Sequence, residues 1–215
     1  MGLLIGKKTL LVHIPKTGGS TMIRNFKANS PCCEWEGAHS PLSNLHNKCK
    51  AHNIDPADLH VVSVVRNPWT KMFSTWRYFS TINFTEYYSG DAKVDTDFNR
   101  WVKWIYTDFD RNKKDRGRDR WNMFKYLYTD QTNWFKDEDG NTLKVDNLLK
   151  TEELTKNISQ IAEQYGWDNY LVTVNKTKSS VPDYYEETYN QESIDLVAKY
   201  FSEDITQFKY DFEGG

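Results

Sequence analysis

The chain is poor in cysteine, with Cys32, Cys33 and Cys49 the only three among 215 residues. An odd count with two neighbours adjacent is no disulfide framework, and no ligand spacing fits a zinc site. A reducing compartment suits that usage. The sequence also lacks any apolar run long enough for a signal sequence or a membrane anchor, with Lys7 and Lys8 standing directly before the first predicted strand. Met1-Gly2 has no Ser or Thr at position 6, so myristoylation is not indicated. Neither sign of charge dominates: 28 Lys and Arg against 30 Asp and Glu leave a net charge of −2. No global basic field therefore marks nucleic acid as the main partner. Internal repeats, low-complexity segments and metal-binding carboxylate clusters are missing as well. What remains is a length that suits one domain with a full core and falls short of two sizeable ones.

Aromatic residues, by contrast, are plentiful, with eight Trp and thirteen Tyr. Such a surplus serves stacking on sugar rings or flat ligands, or simply packing. Both readings stay open at this level.

The most informative stretch runs from Thr9 to Thr21, T-L-L-V-H-I-P-K-T-G-G-S-T. Leu10, Leu11, Val12 and Ile14 predict a short buried strand. Pro15 stops it, Gly18 and Gly19 allow unusual backbone angles, and Ser20 or Thr21 is placed to cap a helix through Met22, Ile23 and Phe26. A strand, a glycine turn and a helix N-terminus gather backbone N–H groups at the positive end of the helix dipole, and Lys16 adds a full charge. The arrangement is either an ordinary strand–turn–helix or a grip for phosphate or sulfate. It is not the G-x-x-x-x-G-K-[ST] loop of nucleotide triphosphatases, because the lysine here precedes the glycines.

A second stretch, Leu59 to Tyr78, has the same logic. Val61, Val62, Val64 and Val65 predict a strand buried on both faces of a parallel sheet, ending in Arg66. Asn67-Pro68 starts a helix, and Ser74 follows Arg66 by eight residues, about two helical turns on. An arginine at a strand end and a hydroxyl on the next helix suit a single phosphate gripped from two sides.

The two stretches together resemble sulfotransferases that use 3′-phosphoadenosine 5′-phosphosulfate (PAPS). The first is similar to their 5′-phosphosulfate loop, P-K-[TS]-G-[GTS]-[ST], and the second to their 3′-phosphate motif, R-[DN]-P-x-x-x-x-x-S. The end of the chain also resembles the carbohydrate O-sulfotransferases: a polar loop at Asn175 to Ser180, a helix opened by Asn190, then Asp204, Phe208 and Tyr210 in D-x-x-x-F-x-Y. The resemblance implies an α/β, P-loop-like fold with a central parallel sheet flanked by helices, in a single domain over 1–215. Residues 81–145 match no familiar pattern and would form an acceptor-specific insertion.

The other elements follow from local pattern. Cys33 to His39 is a candidate second strand. Ser40-Pro41 reads as the cap and first residue of a helix through Leu42, Leu45 and Cys49, and Phe98, Trp101, Val102 and Ile105 recur at helical spacing. Arg111 to Arg120 is a charged stretch, either a solvated loop or a basic lip, with Trp101, Trp104 and Trp121 near it as stacking faces. Trp134 to Val145 reads as a β-hairpin, and Thr151 as the cap of a helix ending near Gly166.

By resemblance, Lys16 steadies the leaving bisphosphate. Thr17, Gly18, Gly19, Ser20 and Thr21 hold the 5′ end of the donor, Arg66 and Ser74 hold its 3′-phosphate, and Lys176 and Lys178 close over the nucleotide. No metal is implied. A general base is expected in the window of Glu34, Glu36 and His39; His39 is the first choice because imidazole titrates near neutrality, and Glu36 the second. His13 reads as a packed core histidine. The implied partner is a glycan or another hydroxyl-bearing acceptor, with no stable membrane insertion. The implied location is cytoplasmic unless an anchor has been removed, and the sequons at Asn83, Asn157 and Asn175 then carry no weight. The rival readings are a nucleotide or small-molecule kinase, and a non-catalytic nucleotide- or glycan-binding module.

Overall fold

The two apolar runs become neighbouring parallel strands. In the computed structural model, which describes residues 2–30, 32–33, 39–81, 95–109, 126–170 and 185–214, β2 (Thr9–Val12) pairs with β4 (His60–Val65), Leu10 opposite Val61 and Val12 opposite Ser63. On the far side of β4 lies β5 (Asn147–Lys150), also parallel, with Val65 opposite Lys150. Two short antiparallel strands, β1 (Gly2–Ile5) and β3 (Cys32–Cys33), extend the sheet to the order β3-β1-β2-β4-β5. The fold is α/β, and its parallel part is the part that carries the two motifs.

β1 corrects the start of the sequence reading. Lys7 does not lead into the first strand; it turns the hairpin between β1 and β2, with Gly6 at φ 54° and Lys7 at φ 57°. Four residues of G-L-L-I are too few to show a period, so this strand has no signature of its own. β5 was likewise not predicted. Its residues are only half-buried, and N-L-L-K has no β-branched residue to mark a strand. Asp146 completes the pairing, its N–H donating to Val61 O at 2.8 Å and its carboxylate accepting from Val61 N at 2.8 Å.

The chain divides into two compact units, residues 1–66 with 131–176, and 67–130 with 177–215. The first holds the whole sheet. On one face, Leu3, Ile5, Leu11, Val62 and Val64 pack with Met22, Ile23 and Phe26 of α1 (Gly19–Asn29) and with Ile158, Ile161 and Ala162 of α5 (Leu154–Tyr165). On the other, Leu45 of α2 (Leu42–Ala51) sits so close over Gly2 that a Cβ there would stand 2.4 Å from Leu45 Cδ2. Each large apolar side chain buried in this way contributes about 1.5–3 kcal/mol. That exceeds the roughly 1 kcal/mol of a side-chain cap, so packing sets the helix boundaries. α1 and α2 accordingly begin after Gly18 and Pro41, neither with a side-chain cap.

The second unit is helical among its described residues: α3 (Pro68–Thr81), α4 (Phe98–Thr107), α6 (Gln191–Tyr200) and α7 (Ser202–Phe208). Asn67 accepts from Trp69 N at 3.0 Å and so opens α3, and Asn190 caps α6 through Ser193 N, as the sequence predicts. The core of this unit is aromatic. Phe98 meets Phe73, Trp76 and Tyr189 with ring centroids 5.6, 5.4 and 4.5 Å away. Lys71 is fully buried, and its ammonium donates to Leu127 O at 2.5 Å and lies 4.8 Å over the Phe201 ring. Asp204, Phe208 and Tyr210 of the C-terminal pattern are all buried here.

The predicted hairpin shrinks to one bridge, Lys136 with Thr142, after a 3-10 turn over Gln131–Phe135. Trp134 and Phe135 are both buried. Sequence neighbours in a strand face opposite ways, whereas a tight turn lets both point inward. The tryptophan surplus is also largely explained: Trp69, Trp76, Trp101, Trp134 and Trp167 are core. Trp101 is therefore not a stacking face. Trp104 is half-buried with its ring 5.0 Å from Phe109, and Trp121 and the Arg111 to Arg120 stretch lie outside the described residues. No described helix is long and apolar enough to cross a membrane.

Candidate active site

After β2 the chain makes a tight loop. Lys16 and Gly18 both adopt left-handed angles, φ 67° and 81°, on either side of Thr17. Such alternation turns backbone N–H groups toward a common concavity that receives anions. A left-handed lysine costs on the order of 1–2 kcal/mol, so it persists only where neighbours fix it. Three hydrogen bonds do so. Thr17 Oγ1 donates to Ile14 O at 2.9 Å, Arg66 Nη1 donates to Lys16 O at 3.2 Å, and Thr151 Oγ1 lies 2.6 Å from Thr17 O.

Each of the paired glycines has its own reason. Gly18 needs its positive φ, and Gly19 needs the absence of a Cβ, which would stand 2.2 Å from His13 Cδ2. His13 is buried as predicted, and its packing partner is the loop itself. The cap assigned to Ser20 or Thr21 is not formed: Gly18 is the N-cap residue, Thr21 N donates to Gly18 O at 2.9 Å, and both hydroxyl residues sit in the first turn of α1. The loop must close onto β2 before the helix begins, which leaves those residues inside it.

Arg66 follows the last rung of β4, where the parallel pairing sets it beside the loop after β2. Crevices at the carboxyl ends of neighbouring parallel strands are the usual ligand sites of such sheets. Its backbone is held from both ends by Gln131, whose Oε1 accepts from Arg66 N at 2.9 Å and whose Nε2 donates to Arg66 O at 2.7 Å. Thr151 Oγ1 is also 3.0 Å from Val65 O, so one hydroxyl joins the loop to the strand that ends in Arg66. It does not cap the helix; a 3-10 turn, Thr151–Glu153, intervenes. Gln131 was not singled out by the sequence and Thr151 was assigned another task, because long-range side chain-to-backbone bonds leave no local pattern.

His39 lies in the same unit. Its Nδ1 is 3.0 Å from His13 O, and its ring stands 4.6 Å from His13 and 6.4 Å from Trp134. A carbonyl only accepts, so Nδ1 carries the proton and Nε2 is the basic nitrogen of the neutral ring. Burial lowers the His39 pKa from its ordinary 6.5 to about 4, and burial likewise lowers His13. Unfolding then takes up a proton at His39 between those values, so the stability that its neutral burial contributes is fully present above about pH 6.5 and is lost as the pH drops toward about 4. His39→Gln should flatten part of that acid limb in denaturant unfolding followed from pH 7 to pH 4. An unchanged limb would mean that His39 is not buried in its neutral form.

The remaining candidates are distributed as follows. Ser74 is half-buried on α3, in the second unit. Glu34, Glu36, Lys176 and Lys178 lie outside the described residues. Among the described residues no cluster of three His, Cys, Asp or Glu side chains could hold a metal ion. The loop after β2 and the strand end at Arg66 are thus one constellation, with His39 held by the strand that leads into the loop.

A family model described as the sulfotransferase family matches residues 6–211, a span that runs through both units. No curated protein matches the chain, and no solved structure does.

Proposed function

The chain belongs to the sulfotransferase family, and from that premise we propose that it moves a sulfuryl group from PAPS to a hydroxyl of a carbohydrate. The observation that carries the donor is the joining of the two motifs, Arg66 Nη1 on Lys16 O, at the carboxyl ends of adjacent parallel strands. In this reading the N–H groups of Thr17, Gly18, Gly19 and Ser20 hold the 5′-phosphosulfate, with the Ser20 and Thr21 hydroxyls beside them; the Thr21 N–H is taken by Gly18 O. Arg66 holds the 3′-phosphate. For Ser74 as the second grip on that phosphate, the support is its spacing from Arg66 in the motif.

The acceptor oxygen attacks sulfur as the bond from sulfur to the bridging phosphate oxygen breaks. The acceptor proton passes to His39 Nε2, or to Glu36 as the second choice, and the bisphosphate leaves with Lys16 beside its new charge. Sulfuryl transfer resembles phosphoryl transfer in spreading charge over several oxygens, so positioning and electrostatics supply most of the rate. A base with a pKa of about 4 is weak at neutral pH, and the negative charge of a bound donor would raise it. The carbohydrate acceptor rests on the C-terminal resemblance, since most tryptophans are occupied in the core.

The test is calorimetric binding of 3′-phosphoadenosine 5′-phosphate, compared with 5′-AMP and with ATP and Mg²⁺. The bisphosphate should bind best, and Arg66→Ala should weaken it roughly ten- to a hundredfold, the worth of one charged partner. Equal or better binding of ATP with Mg²⁺ would sink this reading and favour a kinase.

A further inference from the structure

We infer that Gln131 positions Arg66 for the donor's 3′-phosphate, acting through the arginine's backbone; this rests on the reading of Arg66 given above. Val65 is the last β4 residue paired with β5, and on the β2 side the pairing stops at Ser63. Arg66 is thus one residue past the ladder, and among the described residues no strand pairs with it. Gln131 supplies the missing neighbour. Its primary amide copies a peptide, accepting from Arg66 N at 2.9 Å and donating to Arg66 O at 2.7 Å.

The clamp is well anchored. Gln131 is fully buried and begins the turn Gln131–Phe135, in which Trp134 and Phe135 are core residues. Trp134 also meets His39 edge-on at 6.4 Å, so the same turn supports the arginine and the candidate base. The far end of Arg66 is tied to Lys16 O. A guanidinium recognises phosphate by a planar fork of fixed direction, so a peptide free to rotate would misdirect it without removing its charge.

The experiment uses the full chain with Gln131→Met, which keeps the volume and removes the amide, and Gln131→Glu, which keeps only the acceptor for Arg66 N–H. Calorimetry with 3′-phosphoadenosine 5′-phosphate and with 5′-AMP reads the grip on the 3′-phosphate, and hydrogen exchange at the Arg66 amide reads the clamp. Gln131→Met should lose about tenfold in the preference for the bisphosphate, the size of one net hydrogen-bonded contact. Its affinity for 5′-AMP should hold, exchange at Arg66 should speed up, and Gln131→Glu should fall between. A folded Gln131→Met with the wild-type preference, or with equal losses for both nucleotides, would overturn the inference; equal losses mean a merely structural role. If that variant does not fold, Gln131→Glu decides by the same ratio. A wild-type chain with no Arg66-dependent preference would instead overturn the functional reading.

Discussion

Lys16→Ala is expected to lower sulfuryl transfer on the order of a hundred- to a thousandfold, the usual cost of removing one group that meets charge as it develops in a transition state. The measurement is release of 3′-phosphoadenosine 5′-phosphate from PAPS in the presence of a panel of hydroxylated sugars. Lys16 occupies the turn between the carboxyl end of β2 and the first turn of α1, where the helix dipole already favours an anion. Its ammonium adds a full charge to that turn, alongside the Arg66 guanidinium that binds Lys16 O. A neutral side chain leaves the backbone N–H groups in place, so donor binding should suffer far less than turnover.

The backbone offers a control. Lys16 is held at φ 67°, and alanine bears the same left-handed cost as lysine. Lys16→Gly relieves that cost by about 1 kcal/mol while also removing the charge. Both variants should therefore be equally slow, and the glycine variant should be the more stable. Transfer at the wild-type rate in either would remove Lys16 from the chemistry and leave it as the loop residue that Arg66 ties down.

Burial decided how much could be read in advance. β2 and β4 are buried on both faces, which forces near-continuous apolar residues, and such runs announce themselves. Arg66 and Lys16 each stood out as a charge after a strand beside glycine or proline turn signals, and the resemblance of the two motifs to those of PAPS-dependent sulfotransferases paired them before any geometry. β1 and β5 went unread because four residues, the latter half-buried, carry no period. The supporting residues were harder still. Gln131 and Thr151 act on backbone atoms 65 and 134 positions away, and nothing local in T-D-Q-T or K-T-E-E points there. His13 illustrates the middle case: its burial was legible from the apolar strand, but the glycine it packs against was not.

That contact carries the last prediction. Gly19→Ala should destabilise the fold by about 3 kcal/mol, the upper end for overpacking a filled site. In a helix interior alanine would help by about 1 kcal/mol over glycine, and in place of Gly19, at the first position of α1, it would help by at most that. Here its Cβ would stand 2.2 Å from His13 Cδ2 and 2.9 Å from Nε2, and the steric term exceeds the propensity term. The imidazole has little room to yield. It is buried, its ring lies 4.6 Å from His39, and its own carbonyl accepts from His39 Nδ1. The strain should spread both ways, loosening the donor loop and tilting the candidate base. Removing the ring should remove the conflict, so Gly19→Ala in a His13→Ala background should cost well under 1 kcal/mol, a non-additivity expected only of side chains in contact. Denaturant midpoints of the four proteins in this cycle measure it. Simple additivity would show that Gly19 is required for some reason other than His13.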